Sequence, residues 1–179
     1  ETAVEDQERL REELGLNDPF VSQFIHFTFD MLQGNFGYSY RTREPVADMI
    51  TDRVPATLEL GFVALIISLL VGVPAGVYTA LKPSGIWTQT ILMTTLVGVS
   101  IPTFVIGIML IFLFGVQLGW LPTFGRGGTV QIGNWESSLF TINGWRALLL
   151  PAVTLGVYQL TLTMRLVRAE MMEVMRSDY

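Results

Sequence analysis

The sequence has no cysteine, a single histidine and few charged side chains. Its 179 residues are 15% charged and 50% hydrophobic, whereas soluble domains carry about 25% charged residues. Without cysteine the chain can form neither a disulfide framework nor a thiolate metal cluster. One histidine leaves too few ligands for a zinc site, and His26, which lies among aromatic residues, is interpreted as an interfacial side chain. We therefore expect no metal and no other cofactor.

Acidic residues are concentrated in the first part of the chain. The formal net charge is −5, and 11 of the 16 acidic residues precede residue 55. The acidity therefore belongs to one exposed segment and does not indicate a basic partner for the whole surface. We assign residues 1–54 to an extracytoplasmic or interfacial segment.

Charge is missing from three long stretches, residues 60–81, 83–125 and 147–164. An α-helix rises 1.5 Å per residue, so about 20 apolar residues cross the hydrocarbon core of a bilayer. An Arg or Lys near the bilayer centre costs about 2.5–3.5 kcal/mol on insertion. We predict membrane-spanning helices at about residues 57–81, 90–118 and 147–167. The alternative, core helices of a large soluble protein, rarely produces three such stretches.

The segment before the first span contains three further predicted helices. Residues 5–14 favour a short exposed helix, and residues 20–32 are apolar and aromatic but too few to span. The second of these helices lies at the membrane interface or packs against the bundle. A third begins at Pro45, rests on the membrane surface and leads into the first span. Glu59 falls near the start of that span, where the helix dipole favours an acid.

Each predicted span contains a proline: Pro74, Pro102 and Pro151. In a bundle, neighbouring helices and Ser or Thr hydroxyls satisfy the carbonyls that proline leaves without a partner, so these residues are candidates for kinks. Pro151 is also compatible with the first turn of a helix.

Two glycine pairs are candidates for close helix packing, because small residues one turn apart let two backbones approach. They are Gly72 with Gly76 and Gly115 with Gly119. With 17 glycines in the chain, chance is the alternative explanation.

A polar stripe marks the third span. Its residues step by 4, 3, 4 and 3 positions and therefore share one helix face; they are Thr154, Tyr158, Thr161, Arg165 and Arg168. A polar face on a membrane helix usually meets protein or water and not lipid. Two explanations stay open: hydrogen bonding between helices, or the lining of a substrate path.

The sequence lacks the motifs of an ATPase or a protease. It contains no G-x-x-x-x-G-K-[ST], so it has no P-loop for nucleotide phosphates. Ser68 and Ser100 lie in predicted spans, but no span holds a histidine that would act as their base. An intramembrane enzyme would need a base that the predicted spans do not provide.

Five groups of short strings follow one another along nearly the whole chain. They are GNFGYS at 34–39 with PV at 45–46, RVPATLELG at 53–61, SIPTF at 100–104 with GWLP at 119–122, LPAVTLG at 150–156, and RLVRAEMMEV at 165–174 with DY at 178–179. In this order and spacing they resemble the dipeptide/oligopeptide permease family of ABC importers. Asn35 stands where that family usually has Asp, which is a minor departure.

This resemblance implies an all-α fold, a polytopic transmembrane helical bundle of the type I ABC importer kind. Residues 55–179 would be the N-terminal part of its transmembrane domain, with three spans. The family's first helix would precede Glu1, and its last two helices and its coupling loop would follow Tyr179. The implied function is that of a permease subunit that forms the membrane path for dipeptides or oligopeptides. Since a partner would supply the energy, the resemblance also implies that the chain is not an enzyme and has no catalytic residue.

The implied partners are a second permease subunit, cytoplasmic ABC ATPase subunits, an extracytoplasmic substrate-binding protein and the lipid bilayer, with no nucleic acid. The implied location is the inner membrane. The density of Lys82, Arg165, Arg168 and Arg176 near span ends favours a cytoplasmic side for residues 82–89 and for the C-terminal end. Residues 1–54 and the loop 119–146 would then be extracytoplasmic. Two alternatives remain, a permease for nickel or another small solute and a non-transporting membrane scaffold.

Overall fold

The computed structural model describes residues 17–39 and 41–177. The chain divides into two compact units, Glu1–Arg53 and Val54–Tyr179. The predicted helix at residues 5–14 and the residues Asp178 and Tyr179 lie outside the described residues.

The described part of the first unit contains helix α1, Phe20–Leu32, which matches the predicted apolar segment. None of its residues is buried. The helix ends before Gly34, which has a φ of +83°, a left-handed conformation that glycine adopts without strain. The following loop is closed by a bridge between Tyr38 and Pro45.

Helix α2, Val46–Leu81, is continuous over 36 residues. The helix predicted to begin at Pro45 does lead into the first span: the two form one helix, which runs through Pro55 and through Pro74 without ending. Glu59 consequently lies far beyond the first turn of its helix. The dipole explanation for Glu59 is wrong, since the effect of a helix dipole fades within the first turn.

The predicted second span, 90–118, is broken near its middle. Helix α3, Ile86–Ser100, is followed by helix α4, Thr103–Leu110, which continues as a π-helical segment at Ile111–Gln117. The two parts are bent by 102°. The break has a local cause, because the residue before a proline is disfavoured in the α region and Ile101 is extended, with φ −91° and ψ 127°.

The loop after α4 contains a β-hairpin of strands β1, Val130–Ile132, and β2, Trp135–Ser137. The strands are antiparallel, with Val130 opposite Ser137. Helix α5, Ile142–Arg176, begins earlier than the predicted 147, and the side chain of Thr141 caps it by accepting a hydrogen bond from Gly144 N at 2.9 Å. Pro151 lies well inside this helix, so its interpretation as a first-turn residue is wrong.

In the second unit, α2 and α5 run parallel to each other. Gly156 of α5 lies against Ala64 and Ile67, whereas Gly72 lies against Leu160 and Thr163. Further along, Gly76 lies against Met164 and Val167. Residue numbers on the two helices therefore increase in the same direction.

The bent pair α3–α4 leads the chain from the end of α2 back toward the beginning of α5. Its contacts with α5 run in the opposite direction: Gly98 lies near Val157, Gly107 lies near Thr154, and Gly128 in the following loop lies near Thr141. The chain therefore leaves α2 at Leu81 and comes back to the level of Glu59 before α5 begins. This return favours a crossing over a re-entrant loop.

By length and composition, two helices of the described chain can cross a membrane, or three when the bent pair counts as one span. The prediction of an all-α, multi-pass helical fold is confirmed. The two-stranded hairpin in the loop is the only sheet among residues 17–39 and 41–177.

Candidate functional site

The polar stripe of α5 lies on one helix face, but its members differ in exposure. Tyr158 is 54% exposed and Arg165 is exposed, whereas Thr161 is 2% exposed. Thr154 and Arg168 are half-buried. The spacing predicted a shared face, and the packing of α3 and α4 against α5 decides which of these residues are covered.

The two stripe threonines donate to carbonyls of their own helix. Thr154 Oγ1 donates to Leu150 O at 2.8 Å, and Thr161 Oγ1 donates to Val157 O at 3.1 Å. Thr154 also lies against Gly107 of α4. At the end of the stripe, Arg168 Nη1 is buried and has no hydrogen-bond partner within the described part of the chain.

Exposed polar character on α5 extends beyond the stripe. Gln159, which follows Tyr158, is also exposed. The sequence analysis missed it because it does not share the spacing of three and four residues that defines the stripe. Tyr158 and Arg165 belong to the stripe, and Gln159 lies about 100° around the helix from Tyr158. Interspersed with exposed leucines, these three residues give the uncovered side of α5 hydrogen-bonding groups that lipid tails cannot satisfy. We call these three residues the exposed polar face of α5.

The helix pair α2–α5 is close-packed at two glycines. A Cβ at Gly76 would lie 2.8 Å from Val167 Cβ and 2.9 Å from Met164 O. At Gly72 the nearest atom, Leu160 O, would be 3.0 Å away. Near these glycines the hydroxyls of Ser68 and Thr163 hydrogen-bond across the two helices at 3.1 Å, a contact that sequence reasoning missed.

The other glycine pair is arranged differently from the prediction. Gly115 lies in the π-helical segment, and a Cβ there would meet Thr123 of the following loop. Gly119 lies beyond the helix with a φ of +64°, and nothing is within 4 Å of its Cβ position. The helix ends before Gly119, so the two glycines do not form a pair one helical turn apart.

The three span prolines have different surroundings. Pro74 lies inside α2 and Pro151 inside α5, and both helices continue past them. Pro102 stands at the break between α3 and α4. Of the three, only Pro102 lies where one helix ends and the next begins.

A buried carboxylate joins α2 to the hairpin. Glu59 is 3% exposed; its Oε1 accepts from the indole nitrogen of Trp135 at 3.1 Å, and its Oε2 accepts from Ser138 N at 2.9 Å. The Ser137 side chain is a further hydrogen-bond partner. The sequence offered one signal, an acid just before the charge-free stretch 60–81 together with tryptophans in the loop 119–146.

Two open cavities lie at this end of the second unit. One, of about 550 Å³, is bordered mainly by apolar side chains beside Glu59, among them Phe62, Leu65 and Phe140. The other, of about 600 Å³, lies between the loop after α4 and Arg146. Among residues 17–39 and 41–177, no three His, Cys, Asp or Glu side chains cluster in a way that would hold a metal.

Two family models match the sequence. Residues 72–179 match the model described as "Binding-protein-dependent transport system inner membrane component", and residues 1–61 match "Binding-prot-dependent transport system membrane comp, N-term". Together they include most of the helices described above.

Several curated proteins are similar to the chain. It is 37% identical over 171 residues to a probable peptide ABC transporter permease protein, y4tP, of Sinorhizobium fredii, covering 95% of the chain and 52% of that protein. It is 34% identical to the dipeptide transport system permease protein DppB of Alkalihalophilus pseudofirmus, covering 95% and 55%. It is 35% identical to the glutathione transport system permease protein GsiC of Escherichia coli K12, covering 96% and 51%. The chain thus spans about half the length of these relatives.

Proposed function

Because the chain belongs to the family of binding-protein-dependent transport system inner membrane components, we propose that it forms part of the membrane path by which an ABC importer takes up peptides. The chain is a multi-pass membrane protein. The relatives that resemble it along 95% of its length or more are named as permeases for peptides, dipeptides or glutathione, itself a small peptide. That shared naming supports peptides as the cargo.

The observation that carries the proposed path is the exposed polar face of α5. Tyr158, Gln159 and Arg165 are exposed on a helix long and apolar enough to cross a membrane. Polar groups on such a helix need water or protein partners, and a hydrated peptide path supplies both. Thr154 and Thr161, which are more covered, belong in this proposal to the helix interface beside the path, and Arg165 and Arg168 to its cytoplasmic end.

The proposed partners rest on membership of a binding-protein-dependent transport family. Separate cytoplasmic ABC ATPase subunits supply the energy for transport in this proposal, and the lack of a P-loop in this sequence fits that division of labour. A second permease subunit completes the path, and an extracytoplasmic binding protein delivers the peptide. Many large apolar side chains of α2 and α4 are exposed, Leu70 and Phe104 among them. Lipid and the second permease subunit would cover such surfaces.

We propose that the turn after Leu81 and the end of α5 lie in the cytoplasm. Lys82, Arg165, Arg168 and Arg176 give these regions positive charge near span ends. The return of α3–α4 to the level of Glu59 supports the opposite side for the hairpin loop. Residues 55–179 then form the N-terminal part of the transmembrane domain, and residues 1–54 an extracytoplasmic or interfacial segment.

Uptake by the reconstituted transporter tests this function. The full-length permease, its second permease subunit, the ATPases and the binding protein are placed in proteoliposomes with radiolabelled dialanine or with radioactive nickel. We expect uptake of the dipeptide that requires both ATP and the binding protein, and that stops when the ATPase carries a substitution that abolishes hydrolysis. Uptake of nickel alone, or no uptake by an assembled complex that hydrolyses ATP, would overturn the proposal.

A further inference from the structure

Strand β2 presents its side chains alternately to two sets of partners. Successive residues of a strand point to opposite faces, and here Trp135 and Ser137 meet Glu59 while Glu136 points the other way. Arg126 Nη1 donates to Glu136 Oε2 at 3.0 Å, and its Nη2 donates to Glu136 O at 2.7 Å. Thr129 Oγ1 also donates to the Glu136 carboxylate. The strand is therefore held on both faces.

The same loop is bound to the beginning of α5. Thr141 Oγ1 donates to Gly128 O and accepts from Gly144 N. The indole nitrogen of Trp145 donates to Leu139 O at 2.8 Å. A side chain at Gly127 or Gly144 would collide with the backbone of Asn143 or Ser138 respectively. The segment from Arg126 to Gly144 is thus joined to α5 by hydrogen bonds and by close backbone contacts.

Glu59 connects the same loop to α2 through hydrogen bonds to its carboxylate. Its carboxylate lies 76 residues before Trp135 and 79 residues before Ser138 in the sequence, so the contact joins distant parts of the chain. A buried carboxylate without hydrogen bonds would be strongly unfavourable, and here the hairpin provides the donors. The hydrogen bonds of Glu59 therefore form only when the hairpin lies in this position against α2.

We propose that Glu59 is a positioning residue that fixes the hairpin, Val130–Ser137, to α2, so that α2, the hairpin and α5 move as one body during transport. Close packing at Gly72 and Gly76 already joins α2 to α5 further along. The hairpin connects the same two helices a second time, near Glu59. The transport aspect of this inference rests on the proposed function.

The choice of glutamate has a chemical reason. An ionised carboxylate offers acceptors on both oxygens, and each oxygen here faces an N–H donor. Glutamine would turn its NH₂ group toward one of these donors. Alanine would leave the buried amide of Ser138 and the partly buried indole nitrogen of Trp135 without this acceptor, and aspartate would be one methylene too short. The expected disturbance is therefore intermediate for Glu59→Gln, which keeps one acceptor oxygen, and large for Glu59→Ala.

Spin-label distances in the full transporter complex test the attachment. One label replaces Asn134 in the hairpin turn and the other replaces Leu70, which is 70% exposed on α2. The intact complex should give one narrow distance distribution that is the same with and without ATP. Glu59→Ala should lose the narrow peak, Glu59→Gln should keep part of it, and the exposed acid variant Asp52→Ala on the same helix should leave it unchanged.

Hydrogen exchange at Ser138 gives an independent readout. The loss of a charged acceptor should accelerate exchange of this amide by about tenfold or more. If Glu59→Ala does not assemble, Trp135→Phe removes one donor from the hairpin side and should broaden the distances partially. Unchanged distances and exchange in these variants would overturn the inference.

The transport readout separates this inference from the proposed function. Glu59→Ala should lower the maximal rate of dipeptide uptake without changing the KM for the peptide, and Glu59→Gln should restore part of the rate. Failure of the unsubstituted complex to take up peptide overturns the proposed function, while the distance and exchange results still decide the role of Glu59. An unchanged uptake rate in a Glu59→Ala complex whose distances have broadened would overturn the coupling of hairpin position to transport.

Discussion

Two glycines of α2, Gly72 and Gly76, allow α2 and α5 to approach closely. At Gly76 an added Cβ would be 2.9 Å from the carbonyl oxygen of Met164, an atom of the backbone that cannot rotate away. Small residues at such a contact allow van der Waals packing between membrane helices, which lack a hydrophobic driving force toward each other. Gly76 is therefore expected to tolerate no side chain.

We predict that Gly76→Ala destabilises the permease, because overpacking typically costs about 1–3 kcal/mol. The matched control is Gly61→Ala in the same helix, where nothing lies within 4 Å of the Cβ position. Alanine favours a helix over glycine by up to about 1 kcal/mol, so the control should be neutral or slightly stabilising. Thermal unfolding midpoints of the complex in detergent measure both. Equal midpoints for the two variants would contradict the packing described here.

Residue roles were predictable from the sequence only as far as spacing determines them. The 4-3-4-3 steps correctly put Thr154, Tyr158 and Thr161 on one face, since helix geometry alone decides this. Their depth depends on neighbouring helices, and Thr161 is buried whereas Tyr158 is exposed. Glu59 was misinterpreted for a similar reason, because its partners, Trp135 and Ser138, are distant in sequence.

At the scale of elements, the three span prolines show why helix ends are hard to predict. Pro74 and Pro151 remain inside continuous helices, whereas the chain bends by 102° at Pro102. Each proline removes one backbone hydrogen bond, and the sequence around it does not say whether the neighbours compensate. At Pro102 the segment that follows packs against α5 through Gly107 and Thr154, and this contact stabilises the bent arrangement.

We predict that Pro102→Ala straightens α3–α4, because alanine restores the backbone donor and removes the constraint on Ile101. Spin labels at Leu96 and Phe112, both exposed, measure the change. In a continuous helix their Cα atoms would be about 24 Å apart, at 1.5 Å per residue, and the bend keeps them closer.

The distance should therefore lengthen toward that value in Pro102→Ala. Pro83→Ala, in the turn between α2 and α3, serves as the control and should leave the distance unchanged. A Pro102→Ala distance equal to that of the unsubstituted protein would show that packing on α5 alone maintains the bend.

For the whole molecule, the charge-free stretches were the most reliable signal. They predicted an all-α fold with long apolar helices because inserting a charge into lipid is costly wherever the helix packs, although the second of these helices is broken at Pro102. The hairpin Val130–Ser137 and the early start of α5 were not predictable, because short strands and a cap at Thr141 leave little periodicity in the sequence.

The central claim is that the exposed polar face of α5 borders a hydrated path. Its most direct test is the reaction of Tyr158→Cys, in the full-length transporter with all other cysteines replaced, with a charged, water-soluble thiol reagent. We expect modification that slows when the binding protein, peptide and ATP are added, whereas Leu70→Cys on the exposed side of α2 should not react. Modification of Tyr158→Cys only by a lipid-soluble reagent, with no effect of peptide or ATP, would contradict the claim.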